Sequence, residues 1–298
     1  MKRYSIYFFA ALTLFFFNCS GEEEFELSDS IDEEELDLSV EISQEVIDDI
    51  INSMPSPVEM TSLIKATGTK YDQSLLSSYK NADAYKTDYE RAFNMGVYGA
   101  NLGYLNIYGK TYSSFDYVST IRDLSEDLKI SQFFNFKLLK DLSSNSDNID
   151  SLIYITTRSF NNMDNYLREQ KRSELSVLMM SGTWLEGLYL STQVYQKTKD
   201  EALRERIGEQ KINLDNIILI LDAYSADPYF NNVYSLFMKL KKVYDNVEIV
   251  QEYKEPVRKE VDGRLVIIDN STSEVKMSDE VIESITSTTK EIRASLIK

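Results

Sequence analysis

The sequence predicts an all-α chain, a multi-helix bundle or α-solenoid-like array with a small β-hairpin near its C-terminus. Three observations carry that prediction. Only 10 glycines and 4 prolines occur in 298 residues, too few for a turn-rich all-β protein. Apolar residues recur at three- and four-residue spacing through nearly the whole body, and capping signals stand where the periodic runs begin. With 43% apolar and 12% aromatic side chains, the chain also carries enough core material for one large domain or two modest ones.

The elements follow in order. Residues 1–18 read as a secretory leader, with Lys2 and Arg3 ahead of an apolar run over 4–17. Fourteen apolar positions are short of the about 20 needed to span a bilayer, so a cleaved leader is preferred to a membrane anchor. Residues 19–52 form an acidic tether. Fifteen acids and no base lie between Glu22 and Glu59, which leaves 34 acids against 30 bases from Met60 onward. The net charge of −17 therefore belongs mostly to the tether, and the body is close to neutral. Without a basic stripe to displace counterions from phosphates, nucleic acid is excluded as a partner.

The helical domain is placed at 53–250. It opens on Ser56-Pro57-Val58-Glu59, a capping box with proline at the first helical position, and the helix runs to Ala66 with Gly68 near its end. Further helices are predicted over 74–81, 85–108, 114–128, 131–142, 148–168, 174–197, 200–224 and 228–246. In the last segment, 251–298, "VRKEVDGRLVII" sets Asp262-Gly263 between two β-prone runs, a type I′ hairpin signal. A final helix follows Ser278, with Ile282, Ile285, Thr289, Ile292 and Leu296 along one face to pack on the body.

Two of these helices depart from ordinary amphipathic pattern. In "RAFNMGVYGANLGYLNIYG", Ala92, Gly96, Gly99 and Gly103 align on one face. Each glycine costs up to ~1 kcal/mol relative to alanine in a helix interior, so a close neighbour is needed to offset it. "SGTWLEGLYLSTQVY" echoes that segment: aligning Gly96 with Gly182 pairs Tyr98 with Trp184 and Leu102 with Leu188. Two related halves crossing at their glycines is one reading, and chance similarity is the other.

Candidate chemistry is limited by composition. Histidine is absent, which removes histidine-based nucleophile activation, proton shuttling and metal ligation. Glu59 is explained by capping, and "SNSDNIDS" (144–151) lacks the glycine and distal glutamate of a calcium loop. No catalytic residue, metal site or cofactor is assigned. Were the two glycine helices to meet, Tyr98, Asn101, Trp184 and Glu186 could line a pocket suited to a sugar or another small polar ligand; the alternative is that Asn101 and Glu186 face solvent or each other.

The single cysteine, in "FFFNCSGEEE", sits where the apolar run ends and the acidic run begins. The segment resembles a bacterial lipoprotein signal, which implies that Cys19 becomes the acylated first residue of the mature chain. "CSGEEEFE" further resembles the acidic export signal of surface lipoproteins of Bacteroidota, with Glu22, Glu23 and Glu24 at its positions. "MPSPVEMTSLIK" and "AFNMGVYGANLGY" are similar to a family of helical Bacteroidota lipoproteins with a proline-capped helix and a glycine-aromatic helix. These resemblances imply a lipid-anchored protein of the outer membrane, facing the cell exterior, and bring no activity with them. The expected function is a binding or scaffold component of an envelope assembly, with an envelope protein or glycan as partner and the membrane engaged through acyl chains. The alternatives are a carboxylate-based hydrolase of envelope glycan and a chaperone-like helical binder of exported chains.

Overall fold

The computed structural model describes residues 46–47, 49–50, 64–143, 149–252, 257–261, 264–268 and 272–298. Every described residue belongs to one compact unit, Glu41–Lys298. The leader, Cys19, Glu22, Glu23, Glu24, most of the tether and the Ser56–Glu59 capping box lie outside the described residues.

The described body is all-α apart from a short β ribbon, as predicted. Eight α-helices are described: α1 Asp88–Ile107, α2 Thr111–Asp127, α3 Phe136–Ser143, α4 Ile149–Glu169, α5 Ser173–Thr198, α6 Glu201–Ala223, α7 Pro228–Tyr244 and α8 Asp279–Leu296. Strands β1 Glu248–Glu252, β2 Val257–Val261, β3 Arg264–Ile268 and β4 Thr272–Lys276 lie between α7 and α8. They form two antiparallel pairs, β1 with β4 and β2 with β3. Val261 stands opposite Arg264, so only two residues join β2 to β3, as the Asp-Gly signal requires. The β1–β4 pair was not predicted, and β4 packs against α6.

Helices α1 and α5 form the centre. Both are buried nearly all round, as the weak segregation of their apolar residues demands, and they pack along each other more extensively than any other pair. α2, α4, α6 and α8 surround them, and α7 bridges α6 and α8. Because α1 and α5 are far apart in sequence, the arrangement is a bundle rather than an array of neighbour-only contacts.

The glycine face explains how the central pair comes so close. A Cβ on Gly96 would lie 2.9 Å from the carbonyl carbon of Met179 and overlap its oxygen. A Cβ on Gly182 would lie 2.9 Å from the carbonyl carbon of Phe93 and overlap that oxygen. The contacts are reciprocal, each glycine meeting the residue three before the other. The backbones touch where the two segments align. Gly99 makes room differently, since a Cβ there would come 2.6 Å from Cζ of Phe160 on α4.

Four predicted elements begin or break differently. α2 starts at Thr111 rather than 114, with Lys110 as its cap residue. α1 starts at Asp88 rather than 85, because Thr87 and Glu90 form a reciprocal capping box, with Glu90 N–H donating to Thr87 Oγ1 at 3.1 Å. The helix predicted over 131–142 splits into a 3-10 turn, Ser131–Phe133, and α3; the Asn135 side chain accepts from Leu138 N–H and resets the start. The helix predicted over 74–81 is not α-helical. It is two 3-10 turns, Gln73–Leu75 and Tyr79–Ala84, on either side of an extended stretch at Leu76 and Ser78. At the other end of the chain, α8 buries Ile282, Ile285, Thr289, Ile292 and Leu296, the predicted stripe.

Candidate functional site

Residues 67–85 form a strap across α1, α2 and α8, and the polar centre of the molecule lies beneath it. Asn101 and Tyr98 are three residues apart on α1, which puts them on one face. That face meets the strap. Asn101 Oδ1 accepts from Ser77 N–H at 3.4 Å, while its amide nitrogen donates to the Val97 carbonyl at 2.9 Å. Tyr98 donates its hydroxyl to the Ser78 carbonyl at 3.0 Å. From α2, Tyr117 donates to the Ser77 carbonyl at 2.7 Å.

Glu186, fully buried in the middle of α5, reaches the same place. Its carboxylate accepts Arg293 Nε at 2.6 Å on one oxygen and Arg293 Nη2 at 2.9 Å on the other. Ser77 closes the triangle: its hydroxyl accepts from Arg293 Nη2 at 2.6 Å and donates to Glu186 Oε1 at 3.2 Å. The Arg293 guanidinium carbon also stands 4.1 Å over the Tyr189 ring. This is a two-pronged buried ion pair joining α5 to α8 through the strap.

Electrostatics follow from that geometry. Burial by itself would lower the Arg293 pKa, but the hydrogen bonds and charge of Glu186 overcome it and raise the pKa, fixing the cation. Burial raises Tyr98 and Tyr117 far above the ordinary phenol range, with neighbouring tyrosines adding to the effect. Those phenols stay protonated and act as donors to strap carbonyls. Further along the strap, Tyr104 is raised to about 12 by burial and accepts Asp72 N–H at 3.2 Å. Asp72 is held down to about 2, chiefly by its bond to Lys197 and then by those from Ser74.

Trp184 does not join the cluster. Two residues from Glu186 on a helix is a rotation of about 200°, so the indole faces the opposite side of α5. There its Nε1 donates to Gln210 Oε1 at 2.9 Å and its ring lies 5.8 Å from that of Phe237, tilted by 38°. Of the four residues predicted to line one pocket, Tyr98, Asn101 and Glu186 come together and Trp184 is elsewhere. What they meet is the chain's own strap. Arg293, Ser77 and Tyr117 were missed, although a carboxylate among apolar neighbours in "TWLEGLYL" demands a buried base.

The carboxylate is engaged by three donors, and no second carboxylate joins Glu186 in the contacts described. Among the described residues, no group of three or more His, Cys, Asp and Glu side chains is placed to hold a metal ion. None of the described helices is long and apolar enough to cross a membrane. Comparisons with known protein families, with curated proteins and with solved structures find no match to this chain.

Proposed function

We propose that this chain is a lipid-anchored outer-membrane protein, facing the cell exterior, whose helical body serves as a binding or scaffold component of an envelope assembly. The anchor rests on the sequence: a short apolar leader, Cys19 immediately after it, and Glu22, Glu23 and Glu24 just beyond. Multiple acyl chains on one cysteine make attachment effectively permanent, since each buried methylene contributes roughly 0.8 kcal/mol.

One observation supports a holding role over a reacting one for the body. Glu186 is saturated by Arg293 and Ser77, so the one acid at the polar centre fastens α5, α8 and the strap together. Fractionation of cells expressing Cys19→Ala tests the anchor. The variant is expected in the soluble periplasmic fraction, and mass spectrometry of the parent should show an acylated N-terminal cysteine. Retention of the variant in the outer membrane refutes the proposal.

A further inference from the structure

We infer that the groove beneath the strap is a peptide site that reads main chain, filled in cis by residues 69–79. In trans it would take an extended segment of another polypeptide with the pattern Leu-x-Ser. This deepens the binding half of the function proposed above by naming the class of partner.

The strap is held the way an extended ligand is held. Main-chain polar groups along it are met by a row of side chains from α1 and α2, which follow it in the chain, and from the distant α8. In its core, the carbonyls of Leu75, Ser77 and Ser78 accept from Arg293, Tyr117 and Tyr98, and Ser77 N–H donates to Asn101. Toward the ends, Tyr108 donates to the Thr69 carbonyl at 2.8 Å and Thr120 to the Tyr79 carbonyl at 3.2 Å. Such contacts set register and direction without regard to sequence, as in other extended-peptide grooves.

Two strap side chains supply selectivity. Leu75 and Ser77 are buried, whereas Gln73, Ser74 and Ser78 are exposed. The position between Glu186 and Arg293 requires a group that donates to one and accepts from the other within the volume of a hydroxymethyl. Alanine offers neither bond. Aspartate would set a second carboxylate against Glu186.

The strap has little regular structure of its own to hold it: two 3-10 turns of 3 and 6 residues, a type with poorer hydrogen-bond geometry than the α-helix. What retains it is the row of side-chain bonds and the burial of Leu75 and Ser77. Gly68, at φ +72 and with open space around it, stands at its entrance as a hinge. A tethered occupant has an effective concentration of roughly mM, so an untethered peptide cannot compete until the strap is weakened.

Two measurements on the full chain test this. In hydrogen exchange read by mass spectrometry on the unaltered protein, residues 69–79 should exchange at least ten-fold faster than α1 and α5, which stay protected. In fluorescence anisotropy, a labelled synthetic peptide of residues 67–81 should bind the Ser77→Asp chain at least ten-fold tighter than the unaltered chain. It should also bind that variant at least ten-fold tighter than the same peptide with alanine at the Ser77 position. Exchange of the strap only together with α1 and α5 overturns the inference. So does a folded Ser77→Asp chain that binds neither peptide or both equally, and so does a Ser77→Asp chain that fails to fold, because the strap is then part of the core. Neither measurement involves Cys19 or a membrane, so failure here leaves the anchor standing.

Discussion

Alanine substitution at two glycines of α5 is expected to change stability in opposite directions. At Gly187, a Cβ meets nothing within 4 Å. The helix then gains the intrinsic preference for alanine, up to ~1 kcal/mol. At Gly182, the same atom overlaps the Phe93 carbonyl oxygen, a backbone atom that cannot rotate away. The central helices must part along their length, and overpacking of this kind costs about 1 to 3 kcal/mol or more. A backbone clash belongs at the upper end, about 3 kcal/mol, so after the propensity gain of up to ~1 is deducted a net loss of about 2 kcal/mol remains. Thermal unfolding followed by circular dichroism should show Gly182→Ala melting about 4 to 8 °C lower and Gly187→Ala about 2 °C higher, on the usual scale for domains of this size. Gly96→Ala should behave like Gly182→Ala. The double variant should lose less than the sum, because the first substitution already opens the gap that the second needs. If Gly182→Ala is as stable as Gly187→Ala, the α1 and α5 backbones are not in contact and the account of the glycine face is wrong.

Other outcomes follow from the same geometry. Glu186→Gln leaves Arg293 buried against a neutral amide and should cost about 3 kcal/mol in urea unfolding, with much of it recovered in Glu186→Met/Arg293→Met; an unchanged midpoint would show the pair to be solvated. Asp72 is depressed from 3.8 to about 2, so its stabilising contact with Lys197 is present above pH ~4 and is lost as pH falls through about 2. The pair is partly exposed, so the loss should stay under about 1 kcal/mol and vanish in Asp72→Asn; NMR titration of the Asp72 carboxyl checks the sign. Gln210→Leu removes the acceptor of Trp184 Nε1 and should cost about 1 to 3 kcal/mol, with altered emission from the single tryptophan. Unchanged emission would mean the indole is not held there.

Much of the fold was legible because its determinants are local. The stripe of α8 and its Ser278 cap lie within a few residues of one another, and helical spacing alone selects the buried face. The Asp-Gly pair likewise signalled the antiparallel pairing of β2 with β3 on either side of it. The Thr87–Glu90 capping box was equally readable, and giving weight to it would have placed the start of α1 correctly. The 74–81 segment failed for a different reason. It carries helical spacing, but Tyr98, Tyr117 and Asn101 satisfy its main chain from outside, so an extended course is stable there.

By itself, the sequence determined the class of the fold and the glycine face that lets two helices touch. The tertiary structure alone decided that Glu186 is buried and that Arg293, among 30 bases in the body, neutralises it. It also decided that Ser77 sits between them and that Trp184 turns away. Caps and periodicity act between residues a turn or two apart, where chain geometry fixes who meets whom. A buried charge is neutralised by whichever partner converges on it after distant helices have packed, and no spacing along the chain encodes that meeting.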